Sequence, residues 1–203
     1  TGLIFDRMVA QAADLSYHPA LAESWEEAPD GMAWTFHLKQ GVTFHNGEPF
    51  NSAAVKFSFE RAVAKDSVNK DKAVFANIDR IDTPDANTVV LTLKSGSIDL
   101  PFQLGQGTAI IVEPRSAATN GTQPTGTGPY KLEAWNKGSS VVLQRWDGYR
   151  NAKDVKLKRV TIRFISDPSA QVAALLSGDV DAFPRVAAAR SLKQFEGNKK
   201  FQV

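Results

Sequence analysis

Cysteine is absent from this chain of 203 residues, which excludes disulfides, thiolate metal sites and cysteine nucleophiles. Histidine is scarce. His18, His37 and His45 are the only three, and none stands in an HExxH or other paired-ligand spacing, so no zinc site is expected. Long apolar runs are missing too: no stretch approaches the ~20 residues that a membrane-spanning helix needs. Neither sign of charge dominates, because 24 basic side chains against 22 acidic ones leave +2, too little to argue for nucleic acid or an anionic membrane. The chain opens on Thr1-Gly2-Leu3 without a start Met, a basic n-region or an apolar h-region. The expectation is that a targeting segment has been removed or that the chain is a piece of a longer one.

What is present is ordinary for a globular protein, 42% apolar and 23% charged, and long enough for one large domain or two small ones. Ala33 to Leu38 and Gly41 to Phe44 read as two strands, with Trp34, Phe36 and Leu38 alternating against Ala33, Thr35 and His37. His45-Asn46-Gly47 reads as a turn, since Asn-Gly tolerates positive φ. Asn51 or Ser52 then caps a helix that carries Val55, Phe59, Ala62 and Val63 on one face. Asn77 to Asp82 and Thr88 to Lys94 form a hairpin turning at Thr83 to Asn87, with Val89, Leu91 and Leu93 on one side. A short helix is expected within Ser95 to Leu104, ending near Gly105, and Thr119 to Gly128 is the candidate boundary.

Beyond it, Tyr130 to Trp135 and Ser140 to Trp146 form a hairpin around Asn136-Lys137-Gly138. Val160 to Ile165 reads as a strand and Asp167-Pro168 as a helix cap and first-turn proline; Val172, Leu175 and Leu176 make the buried stripe, and Gly178 the stop. Val180 to Phe183 reads as a further strand, Pro184 opens a helix that Gly197 ends, and Phe201 starts a strand expected to continue past Val203. The first part is therefore β-rich α+β. The last is α/β with a parallel, βαβ-type sheet.

Chemistry is thinly represented. His45 beside its turn is the one tempting ligand, but a ring hydrogen-bonded to turn backbone is the cheaper arrangement. Gly126-Thr127-Gly128-Pro129 precedes a strand, not the helix whose free N–H groups a phosphate loop needs. No Ser lies in a GxSxG elbow, so no nucleophile–base–oxyanion set can be named. Asp179 and Asp181 share a face of the expected strand, yet solvent or hinge hydrogen bonds explain them as well as catalysis does. Trp25, Trp34, Trp135 and Trp146 lack interleaved basic residues, so packing is favoured over base stacking.

An ordered set of motifs resembles one family, the peptide- and nickel-type extracellular solute-binding proteins (family 5) of bacterial ABC importers. It runs from Gly2-Leu3-Ile4-Phe5-Asp6 through Leu21-Ala22, Trp25, Asp30-Gly31 and Trp34-Thr35-Phe36-His37-Leu38. It continues with Gly41-Val42, Phe44-His45-Asn46-Gly47, Phe50, Val55 and Ser58-Phe59-Glu60-Arg61, then Gly126-Thr127-Gly128-Pro129-Tyr130, Leu143, Tyr149, Asp167-Pro168-Ser169 and Ser177-Gly178-Asp179-Val180-Asp181. Ala54 stands where the family has an acidic residue, the segment from Pro114 to Gly126 is shorter than usual, and family members are typically more than twice this length.

The resemblance implies part of a two-lobed, class II periplasmic-binding-protein-like fold, α+β and α/β, with a small β-rich subdomain over 1–115 and part of an α/β lobe over 116–203. It implies a periplasmic component of an ABC importer that captures a small peptide or related solute and delivers it to ABC permease subunits in the membrane. No catalysis, cofactor, metal or nucleic acid is implied, and the chain alone is expected to bind solute weakly or not at all. The segments implied to face the ligand are Lys72 to Phe75 and Gln103 to Thr108, with Phe75, Gln106 and Thr108 as contact residues; a plain surface loop is the competing reading. The alternative function is a stand-alone hydrolase or a protein-interaction domain on a similar fold, which a perturbed ionisable group in a closed pocket would favour.

Overall fold

A computed structural model describes residues 2–12, 14–185 and 189–203 of this mixed α/β chain. Two units emerge: Thr1–Ala134 with Val142–Val160, and Trp135–Val141 with Thr161–Val203.

The first unit is built on four antiparallel strands, β3 (Ala22–Glu27), β4 (Ala33–Leu38), β5 (Ile78–Asp85) and β6 (Thr88–Leu93), in the order β3-β4-β6-β5. Two short strands before them, β1 (Val9–Gln11) and β2 (Tyr17–Pro19), pair with each other. Alternation decides the buried face. Trp34 sits opposite Leu91 and Phe36 opposite Val89, and all four are buried. Helix α1 (Ser52–Val63) covers this face with Val55, Phe59 and Ala62. Val63, expected on that stripe, is 39% exposed, and Ser58 is buried in its stead. Although Ala54 cannot supply the acidic half of a capping box, Asn51 still caps α1, its Oδ1 accepting from the Ala54 N–H at 3.2 Å.

The strand expected at Gly41 to Phe44 does not form; Thr43 makes only an isolated bridge to Pro49. Gly41 turns at φ +70°, and the Phe44 and Phe50 N–H groups donate to the Glu48 and Val42 carbonyls within the same loop. With its backbone paired internally, that loop has no free edge, and β4 takes β3 as its neighbour. The expected hairpin turn is also shorter than read. β5 runs through Pro84 to Asp85, and a register shift between Asp82 and Asp85 accommodates the proline, which cannot donate to a ladder. A short helix, α3 (Leu100–Leu104), ends at Gly105 as expected, and a further one not read from the sequence, α2 (Lys72–Ala76), precedes β5.

A hairpin of β7 (Tyr130–Asn136) and β8 (Ser140–Arg145) turns at Gly138 (φ +78°), and β9 (Arg159–Arg163) completes a sheet ordered β7-β8-β9. In the second unit, α4 (Pro168–Ser177) begins as expected, Asp167 Oδ1 accepting from the Ala170 N–H at 2.7 Å, and stops at Gly178 with φ +82°. Its buried residues are Val172 and Ala174, whereas Leu176 is 48% exposed. Val180 to Phe183 is not a strand. The Val180 N–H donates to Ala174 O at the end of α4, so the segment starts on the helix and not on a neighbouring strand. The helix expected from Pro184 falls partly on Val186 to Ala188, outside the described residues; a 3-10 helix is seen at Ala189–Gln194. Phe201 is not in a strand either, but packs edge-on against Phe195 with centroids 5.0 Å apart.

The loop 126–128 lies against the N-terminal segment, with Gly128 N–H donating to Ile4 O at 2.9 Å and Tyr130 N–H to Leu3 O at 3.0 Å. A Cβ on Gly126 would stand 2.1 Å from Ile4 O, and one on Gly128 2.7 Å from it. Both glycines are thus demanded by backbone approach. Gly126→Ala is expected to destabilise the protein by ~1–3 kcal/mol or more, as overpacking does. Gly121→Ala, whose added Cβ meets nothing within 4 Å, serves as the neutral control in urea unfolding.

Candidate functional site

A cavity of about 470 Å³ opens in the first unit between the C-terminal half of α1, the loop 66–70, Phe75 of α2 and the segment 107–112. Its walls are set by a small number of contacts. Ser58 Oγ donates back to Ala54 O at 2.7 Å and accepts from the Val112 N–H at 3.0 Å, fastening the segment 109–112 to the helix. Thr108 Oγ1 donates to Asp71 Oδ2 at 2.5 Å, and Asn69 Nδ2 donates to Thr108 O at 2.9 Å. Asn69 Oδ1 in turn accepts from the Asp71 N–H at 2.8 Å, an Asx turn that sets the start of α2.

The cavity brings together two of the three residues singled out in the sequence. Phe75 and Thr108 both line the cavity. Phe75 is 3% exposed and packs on Phe59 with centroids 5.2 Å apart, so it forms wall and core at once. Gln106 is not on the lining; its side-chain amide donates to Phe102 O at 3.3 Å. The sequence reading missed the loop from Asp66 to Lys70, and Arg61. The signal for the loop was Asn69 two residues before Asp71, an Asx spacing; Arg61 stood inside a motif taken only as a fold marker. Arg61, Asp66 and Lys70 line the cavity, and none engages an ion pair among the described residues. The wall therefore combines apolar area, fixed amide and hydroxyl groups, and an excess of positive charge. Apolar area with a few placed polar groups is the general composition of small-molecule pockets.

Ionisable groups displaced from their ordinary values, Asp14, Lys39, His45, Asp85, Glu113 and Tyr149, all lie off this lining. One exposed cluster resembles a catalytic set in composition only. Ser16 Oγ donates to Asp14 Oδ1 at 2.5 Å and lies 2.7 Å from His18 Nε2. With its proton directed at the carboxylate, the hydroxyl is not activated by the imidazole, the reverse of a nucleophile–base pair. Among the described residues no group of three His, Asp or Glu side chains is placed to hold a metal.

His45 holds backbone of the loop 126–128, not of its own turn. Its Nε2 is 2.9 Å from Gly128 O and its Nδ1 accepts from the Gly126 N–H at 3.4 Å, while its ring packs edge-on against Trp146 at 4.8 Å. Nearby, Asn46 donates at 3.2 Å to the buried Glu113 carboxylate. Burial pushes Glu113 upward, but the Arg115 and Ser116 N–H groups and Asn46 outweigh it and hold it below the usual carboxylate value. Of the tryptophans, Trp34 is in the core and Trp25 packs against it, whereas Trp135 is 44% exposed.

The sequence profile of the bacterial extracellular solute-binding proteins, family 5 Middle, matches residues 16–203. The glutathione-binding protein GsiB of Pectobacterium atrosepticum is 34% identical over 176 residues, 84% of this chain and 34% of that protein. The chain thus spans about a third of the length of the curated relatives it matches. Among solved structures, NikZ from Campylobacter jejuni in complex with Ni(L-His) superposes with a TM-score of 0.89 at 25% identity, over 98% of this chain and 40% of that one. The periplasmic binding protein DppA of Helicobacter pylori, in complex with the peptide STSA, gives 0.85 at 28% identity over 97% and 43%. These structures carry the two-lobed fold that the motifs implied.

Two substitutions test the wall. Phe75→Ala is expected to cost ~3–5 kcal/mol, as large-to-small core changes do. Ser58→Ala is expected to cost ~1–3 kcal/mol, because it orphans the buried Val112 N–H. Urea unfolding reads both.

Proposed function

Since the chain belongs to the bacterial extracellular solute-binding proteins of family 5, we propose that it serves in the solute-binding component of an ABC importer: it contributes to capturing a small peptide or a related solute outside the cytoplasmic membrane, and to delivering it unchanged to the permease subunits. The observation that carries this reading is the family match over residues 16–203. The relatives named for glutathione, a tetrapeptide and a nickel–histidine complex support a small, polar, amino-acid-like solute as the class. Periplasmic residence follows from the same reading. So does the division into a small β-rich subdomain over 1–115 and part of an α/β lobe over 116–203.

Within the chain, the proposed contacts are Phe75 and Thr108 on the cavity wall and Gln106 on the adjoining segment. Thr108, tied to Asp71 and Asn69, holds its backbone in a defined position, which suits recognition of a peptide-like group by main-chain atoms. Phe75 supplies apolar area and must be altered conservatively to separate binding from folding.

Calorimetric titration of the protein with di- and tripeptides, glutathione and nickel–histidine is expected to give weak but saturable binding of one class, with the ligand recovered unaltered. Thr108→Val is expected to weaken that binding about tenfold, through loss of the hydroxyl bond to Asp71 that positions the segment, and Phe75→Leu and Gln106→Ala to weaken it less. Turnover of the ligand, or unaltered affinity in all three variants, overturns respectively the transport reading and the site assignment.

A further inference from the structure

His45 is held in a way that only its neutral form permits. One ring nitrogen accepts from the Gly126 N–H and the other faces the Gly128 carbonyl, so the proton belongs on Nε2, and Nδ1 must stay bare. A second proton on Nδ1 would point a donor at a donor and orphan the Gly126 N–H in a loop where Gly126, Thr127 and Gly128 are all buried. The loop has little room to adjust, given the backbone of Ile4 behind it.

The surroundings bias the ring the same way. Burial lowers its affinity for a proton below the ordinary value of 6.5; the bond to Gly128 opposes this, Lys131 reinforces it and Asp6 opposes it. The Lys131 ammonium donates to His45 O at 2.7 Å and lies 5.3 Å from the centre of the Trp146 ring that His45 packs against. The remaining charges around the turn and loop are mutually engaged: Asp6 with Arg150 at 2.6 Å, Glu48 with Arg115 at 2.6 Å, and Glu113 with backbone N–H groups and Asn46. None of them is left over to compensate a cationic imidazole.

We infer that His45 is a pH-sensitive latch: neutral, it clamps the turn 44–50 to the loop 126–128, and protonation in mildly acidic surroundings breaks its bond to the Gly126 N–H and loosens the first unit. The sign follows from linkage. The unfolded chain takes up the proton below about 6.5, and the folded one only at lower pH. The stabilisation is therefore complete above 6.5 and is lost as pH falls through the folded-state value, the folding constant dropping by up to about tenfold per pH unit in that window.

The test is an NMR titration of the imidazole and glycine amide signals of the protein between pH 7.5 and 5, alongside thermal melts over the same range. His45 is expected to titrate below the ordinary imidazole value of 6.5, with the Gly126 amide shifting along the same curve. The melting temperature is expected to fall below pH 6.5 in the wild type, and to fall much less in His45→Gln, which keeps an acceptor and a donor but does not titrate. A His45 transition at or above 6.5, or a Gly126 amide that ignores it, overturns the inference even if the variant fails to fold. An equal fall in both proteins overturns it too.

Discussion

The first unit depends on one close approach, the backbone of residues 126–128 lying directly on the backbone of residues 3–5. No side chain fits between them, so the contact exists only because Gly126 and Gly128 have none. Everything nearby stabilises that contact from a different side. His45 holds the loop's Gly126 N–H and Gly128 carbonyl, and Thr127 Oγ1 donates to Asp6 Oδ2 at 3.1 Å. Asp6 is in turn engaged by Arg150, which stacks its guanidinium 4.7 Å from the Tyr149 ring centre. Three segments far apart in sequence thus converge on three loop residues. This partly buried ion pair contributes modest net stability, and it pairs one carboxylate with one guanidinium where the N-terminal segment meets the loop.

This explains why motifs that look like chemistry serve architecture. A Gly-Thr-Gly run suggests an anion site, and a histidine beside an Asn-Gly turn suggests a metal ligand. Here each satisfies the other: the ring's two nitrogens and the loop's backbone groups are used up between them. Under the proposed function, recognition is left to a part of the unit with far less pattern, where an Asx turn at Asn69 and a hydroxyl–carboxylate bond at Thr108 shape a wall around a modest cavity.

Legibility in the sequence followed the strength of local signals. Periodicity made β4, β6 and α1 readable, and caps made both ends of α4 readable, since Asp167, Pro168 and Gly178 each act within one turn. β3 was not legible because Ala22–Glu27 is mostly exposed and carries three glutamates, so its place in the sheet comes from pairing with β4 and not from its own pattern. Val180 to Phe183 misled for the opposite reason: its residues suit a strand, but the helix end before it takes up the Val180 N–H. For the site, Phe75 and Thr108 were reached through resemblance and meet on one wall, whereas Gln106, one residue from Gly107 on that wall, is turned toward Phe102. Sequence places a segment near a cavity but not the direction of each side chain along it.

The edges of the four-stranded sheet bear on the chain's behaviour in crowded solution. An unpaired strand edge is a template for a second chain, and the two edges here are β3, with exposed Glu23, Glu26 and Glu27, and β5, with Asp79, Arg80, Asp82 and a proline at its irregular end. Charge and Pro84 make both edges poor partners for further pairing, while the apolar strands β4 and β6 stay inside. The unreadable polarity of β3 thus guards against aggregation: the feature that hides the strand from pattern analysis also keeps neighbouring molecules from extending the sheet.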